Sequence, residues 1–207
     1  GRRVRDAATG KTYLDFFSFY ASSPLGMNHP ALHTPEFSAR LLKVARCKPS
    51  NPDIYTVEIA EFLETLYRVA APKGFNRLFL VEGGAAAVEN AMKVAFDWKV
   101  RKNLAAHRGE RGTRILHFRQ AFHGRSGYAL STTNTADPRK TKYYPKFDWP
   151  RVENPWIRSK EEGGLAETKR AEARSEREIR AAFRKHRHDI AAILIEPIQS
   201  EGGDNHF

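Results

Sequence analysis

The order of apolar runs in this chain predicts an α/β fold, a mixed and mostly parallel sheet flanked by helices. Three observations carry that prediction. Residues 78–81 and 115–118 are short apolar runs of strand length, separated by a long stretch of helical spacing over residues 85–105. Residues 191–195 form a continuous apolar run, the pattern of a strand covered on both faces. Before that run, residues 165–185 read as a charged helix that buries Ile179, Ala182 and Phe183 at i, i+3 and i+4.

The remaining elements follow in order. Residues 4–6 and 12–15 flank a glycine turn at Gly10 and read as a hairpin. A loop rich in Pro, Gly and Asn spans 22–30, and a helix follows over 36–45. Asp53 can cap the next helix, in which Tyr55, Ile59, Phe62, Leu63, Leu66 and Ala70 recur at helical spacing until Pro72 and Gly74 end it. In the helix over 85–105, Val88, Met92, Ala95 and Lys99 share a face, with Ala91 and Trp98 beside them, and that face is expected on the sheet. Residues 138–156, rich in Pro, aromatic and basic side chains, read as a long surface connection. A chain that stops twelve residues after the run 191–195 leaves a hydrophobic strand edge, so a piece of a longer protein is expected.

At 207 residues and 41% hydrophobic content there is enough apolar material for a core. No stretch approaches the roughly 20 apolar residues of a membrane span, and the first residues lack a signal region, which points to the cytoplasm and away from a membrane. The single cysteine, Cys47, allows no internal disulfide and no paired-cysteine metal site. A net charge of +11 raises nucleic acid as a partner. Yet residues 158–187 mix ten bases with six acids, the pattern of a solvated helix face without rows of stacking aromatics, so no nucleic-acid role is expected. His29 and His33 have the spacing of a zinc pair, but Pro30 follows the first and no partner glutamate motif is present, so no metal is expected. His186 and His188 read as cations at a helix end.

Two turns stand out. Gly83 and Gly84 join the run 78–81 to a helix, leaving backbone N–H groups and a positive helix end for an anion such as a phosphate. The same pair also makes an ordinary strand-to-helix turn, and neither a dinucleotide fingerprint nor a P-loop is present. Phe122, His123, Gly124 and Arg125 set a flat ring beside a guanidinium fork that can grip a carboxylate, between glycines at 124 and 127. Taken singly, these are a core ring, a satisfied histidine and a surface base. Glu196, Gln199 and Glu201 leave the run 191–195 at its carboxyl end, where ligands of open α/β sheets gather, and run into a flexible pair, Gly202 and Gly203. An ordinary acidic loop has the same composition. No hydrolase signature is found.

Several ordered motifs together resemble the class III, fold-type I, pyridoxal-phosphate aminotransferases. They are Leu25 to Pro30 (Leu-Gly-Met-Asn-His-Pro), Val81 to Ala91, Phe122 to Ser126, Glu196 to Gln199, and Glu201 with Gly202 and Gly203. Within the group the chain is most similar to the bacterial L-lysine 6-aminotransferases. Val81-Glu-Gly-Gly84, Ala95 to Lys99, Gly127 to Asn134 and Tyr144 to Pro150 carry that likeness. Ser200 departs from the family's usual glycine.

The resemblance implies that Gly84 and Ala85 bind the phosphate of pyridoxal 5′-phosphate, that Phe122 stacks on its ring, and that Glu196 and Gln199 shape its side of the pocket. It implies that Arg125 grips a carboxylate of L-lysine or 2-oxoglutarate, and that Glu201 pairs with an arginine further along the protein. The Schiff-base lysine and the aspartate at the pyridine nitrogen lie downstream in the family, so no catalytic residue is expected in this chain. Residues 1–50 would belong to the small domain and its connecting loop, and 51–207 to an incomplete large cofactor-binding domain. The intact enzyme would be a homodimer transferring the ε-amino group of lysine to 2-oxoglutarate. Other class III enzymes, acting on ornithine, acetylornithine or 4-aminobutyrate, remain alternatives, and a non-catalytic basic module is a remote one.

Overall fold

The computed structural model describes residues 3–17, 19–20, 22–23, 25–47, 54–158 and 162–207. These form two compact units, Gly1–Leu78 and Phe79–Phe207.

The first unit is assembled from locally specified pieces. Strands β1 (Arg3–Arg5) and β2 (Thr12–Leu14) pair antiparallel, with Val4 opposite Tyr13. Asp6 closes their turn by accepting from the N–H groups of Ala8 and Thr9 at 2.8 and 3.2 Å. Helix α1 (Pro35–Arg46) starts where Thr34 accepts from Phe37 N–H and Pro35 fills the first position. Helix α2 (Val57–Val69) is capped by Thr56, whose hydroxyl accepts from Ile59 N–H. The expected cap, Asp53, lies outside the described residues, and the helix begins after Tyr55. Lys43 bridges to Glu58 at 3.0 Å and Arg40 to Glu61, tying α1 to α2.

The second unit holds a parallel three-stranded sheet in the order β4, β3, β5: Arg151–Val152, Arg114–Phe118 and Ile190–Leu194. Its centre is β3, whose Ile115, Leu116, His117 and Phe118 are all buried. Helix α3 (Gly84–Ala105) covers one face through Met92, which packs with Ile115 and Trp149. On the other face Leu116, Phe118 and Val152 cluster with Ile190 and with Ala182 of helix α5 (Glu162–Lys185). A short helix α4 (Gly127–Thr132) and an antiparallel ribbon of β6 (Ile198–Gln199) and β7 (Asn205–His206) complete the unit.

Several expectations change here. Residues 78–81 form no strand; Phe79 is 72% exposed, because among the described residues no strand offers its backbone a partner. Trp98 and Ala91 face outward, since the inward stripe of α3 runs through Val88, Met92, Ala95, Phe96 and Asn103. Phe183 is exposed, while Ala182 is buried and Ile179 packs against the same cluster as expected; Thr168, Ala171 and Ser175 extend the inner side of α5. Strand β5 is only partly covered, with Ile193 45% exposed at the sheet edge. The connection 138–156 is not all surface: it supplies β4 and buries Trp149, Val152 and Asn154.

Polar anchors hold the sheet's amino-terminal end. Asp189 accepts from the N–H groups of Gly112 and Thr113 and from Arg114 Nε, all within 3.1 Å. Buried Asn103 donates to the carbonyls of Arg111 and His188. Among the described residues, no helix is long and apolar enough to cross a membrane.

Candidate functional site

The site begins with a backbone conformation only glycine adopts comfortably. Gly83 sits at φ 89° and ψ 143°, which swings the chain directly into α3. No side chain caps that helix, so the N–H groups of its first residues, Gly84 and Ala85, converge on one spot with the positive helix end behind them. That arrangement suits an anion of phosphate type.

The second turn is pressed against the first. Gly124 has φ 120°, and a Cβ there would stand 2.7 Å from Ala85 Cβ and 3.1 Å from Ala85 Cα. Backbone therefore lies on backbone, and Phe122 and Arg125 are carried to the first turn of α3. Thr133 fixes the turn from below: its hydroxyl accepts from His123 N–H at 3.0 Å and donates to the Gly124 carbonyl at 2.5 Å. Ser126 donates to Glu89 of α3 at 2.8 Å, and Gly127, at φ 33°, leaves room for that carboxylate. The loop after β5 closes the arrangement, since Glu196 accepts from Phe122 N–H at 2.7 Å.

Electrostatics separate the groups. Burial pushes the Glu196 carboxyl above the usual carboxylate range, against the pull of the Phe122 N–H. His123 is buried and held down to about 4 by burial, so its ring is neutral at pH 7. Its Nε2 lies 3.8 Å from Glu196 and has no hydrogen-bond partner among the described residues. Arg125 is exposed on the turn and forms no ion pair with a described residue, leaving its fork open.

Two predicted site residues are already engaged. Gln199 is fully buried; its amide donates to the Arg119 carbonyl and accepts from Asn154 and Asn205, at 2.9–3.0 Å. It forms the floor beneath the Glu196 loop. Glu201 accepts from Thr135 at 2.8 Å and pairs with Lys140. The pair Gly202 and Gly203 is not loose: Gly202 is buried so tightly on the Gln120 carbonyl that no Cβ fits. The sequence reading missed Thr133 and Glu89. Their signals were three successive hydroxyls at 131–133 and a glutamate one turn into α3.

His29 uses Nδ1 to cap a 3-10 turn, and no group of three metal-ligating side chains is found among the described residues.

The uncapped helix start, the half-buried Phe122 beside it and the unpartnered buried nitrogen of His123 fit a flat, phosphorylated group. All 207 residues match the family model for class-III aminotransferases, and the chain belongs to that family. Its cofactor is pyridoxal phosphate. Over 211 aligned residues the chain is 54% identical to the L-lysine-epsilon aminotransferase of Mycobacterium tuberculosis, covering 100% of this chain and 46% of that protein. The enzyme of the same name from Streptomyces clavuligerus is 46% identical over 203 residues, covering 98% and 44%. A solved structure, lysine aminotransferase from M. tuberculosis in the internal aldimine form, superposes with a TM-score of 0.92 at 53% identity, covering 100% of this chain and 47% of that one. The chain thus spans about half the length of the curated relatives it matches.

Proposed function

We propose that the intact protein is an L-lysine 6-aminotransferase, moving the ε-amino group of lysine to 2-oxoglutarate to give glutamate and 2-aminoadipate 6-semialdehyde. The observation that carries the reading is the seating of Gly124 on Ala85, which brings the turn bearing Phe122 and Arg125 against the uncapped start of α3. Likeness to the lysine enzymes along the whole chain supports the choice of amine donor.

Gly84 and Ala85 would hold the cofactor phosphate through backbone N–H groups, and Phe122 would lie against the ring. Bound there, pyridoxal phosphate supplies the electron sink for amino transfer. Arg125 grips the carboxylate of the incoming substrate as a bidentate fork and fixes which end of lysine reaches the reacting centre. Glu196, through the Phe122 N–H, keeps the ring at its height. Neutral His123 can hydrogen-bond a group at its Nε2 without adding charge. Glu201, free of Lys140, would meet an arginine elsewhere in the protein, and Gln199 would hold the loop bearing both glutamates. The cofactor-bearing lysine lies outside these residues in this reading. Residues 1–50 and 51–207 belong to the small and large domains of a cytoplasmic homodimer.

The test is amino transfer by the intact protein, followed as glutamate formed from 2-oxoglutarate. L-Lysine should give the highest kcat/KM among lysine, ornithine, acetylornithine and 4-aminobutyrate. A higher value for any of the other three would overturn the donor assignment.

A further inference from the structure

A cleft of about 800 Å³ lies away from the Phe122 turn, between α5 and the edge strand β4. Its walls carry an excess of positive charge. Arg151 and Arg119 line it from the sheet side, and Lys185 lines it from α5. Arg151 is oriented by its cross-strand partner on β3: Nε donates to Nε2 of His117 at 3.1 Å. Burial, with Arg151 adding to it, holds the His117 ring down to about 3, so this partner is neutral and cancels no charge. Among the described residues no carboxylate pairs with Arg151 or Lys185.

The acid beside Arg119, Glu153, is already shared. Glu153 lies 3.8 Å from Arg119, 3.8 Å from Arg158 and 3.5 Å from Arg174, so one carboxylate faces three guanidinium groups. Glu178, in the wall, accepts from Glu153 N–H at 2.7 Å, and Asp148 is the other acid of the lining. Like charges gathered with so few counter-charges are unfavourable unless an anion joins them. The cleft has an apolar side as well: Phe147, 54% exposed, stacks on Trp149 with centroids 5.1 Å apart.

We propose that this cleft is a second ligand site, one that binds a small phosphate monoester carrying a flat apolar group. Arg151 and Arg119 present two guanidinium forks, the geometry that recognises phosphate oxygens in pairs. A volume of this size takes a small molecule, and the cleft lacks the row of aromatic platforms a nucleic-acid strand would stack on. Phe147 supplies one ring face for the organic part.

Calorimetric titration of the intact protein tests this, with the seat at Gly84 loaded with pyridoxal phosphate and the unbound excess removed, because free pyridoxal phosphate would compete for the cleft. Phenyl phosphate should bind in one saturable step and more tightly than inorganic phosphate. Arg151→Gln should weaken it about tenfold or more, the usual effect of losing a charge-assisted pair. Should that variant fail to fold, Arg119→Gln, with its side chain half in solvent, carries the same expectation. Absence of saturable binding, equal affinity for the two phosphates, or wild-type titration by the folded variant would each overturn the proposal.

Discussion

Replacing Gly124 by alanine tests whether the two turns form one site. The residue sits at φ 120°, outside the region that side-chain-bearing residues occupy, and holding alanine there costs about 1–3 kcal/mol. The new methyl would also meet Ala85 Cβ at 2.7 Å, Ala85 Cα at 3.1 Å and Ala129 Cβ at 3.2 Å. Two of those atoms belong to the first turn of α3 and cannot rotate away, so overpacking adds about 1–3 kcal/mol. The sum, about 2–6 kcal/mol, is a large part of ordinary domain stability. Part of it will be relieved by lifting the Phe122 turn off α3, which separates ring from anion seat. Gly124→Ala in the intact protein should therefore melt about 5–15 °C lower and bind pyridoxal phosphate about ten- to a hundredfold more weakly. Gly84→Ala is the matched control: a Cβ there meets nothing within 4 Å, φ is ordinary, and the N–H is kept, so stability should change by less than about 1 kcal/mol. Thermal melts and cofactor titrations read both effects. A Gly124→Ala protein that melts with the wild type and binds cofactor equally well would refute the reasoning.

Three further outcomes are expected. His117 is fully buried with its pKa held down to about 3, while the unfolded ring titrates near 6.5, so the unfolded state binds the extra proton as pH falls. Stability from this group is intact above about pH 6.5 and falls by up to about 1.4 kcal/mol per unit below it; His117→Gln should flatten urea midpoints measured from pH 7 to 4, and unchanged slopes would count against burial as the cause. Gly202→Ala drives a methyl into the Gln120 carbonyl and should lower stability by about 1–3 kcal/mol in chemical denaturation, whereas a neutral result would mean the 201–203 turn yields freely. Arg125→Gln should leave the melting temperature unchanged, because the side chain is exposed and without an ion-pair partner among the described residues, yet cut kcat/KM for lysine about ten- to a hundredfold. Full activity in that variant would remove Arg125 from the site.

The sequence by itself determined what is encoded over one or two turns of chain. Thr34 and Pro35 start α1, the hairpin closes on Asp6, and Gly83 swings the chain into α3 at Gly84, because caps and turn conformations depend on neighbouring residues alone. The apolar runs behind β3 and β5 were equally legible. Tertiary structure decided everything that needs a distant partner. Residues 78–81 have strand composition but, among the described residues, no strand to pair with, and β4 exists only because β3 lies beside Arg151 and Val152. Trp98 and Phe183 are as apolar as their buried neighbours, and only the position of the sheet turned them outward. The same holds at the site. Its motifs were visible as separate turns, but that Gly124 rests on Ala85, that Glu196 holds the Phe122 N–H and that Gln199 supports the loop from beneath are contacts across 39, 74 and 80 positions of chain. Spacing along a sequence reports which residues can share a turn; which turns share a site is settled by how a sheet brings its strand ends together.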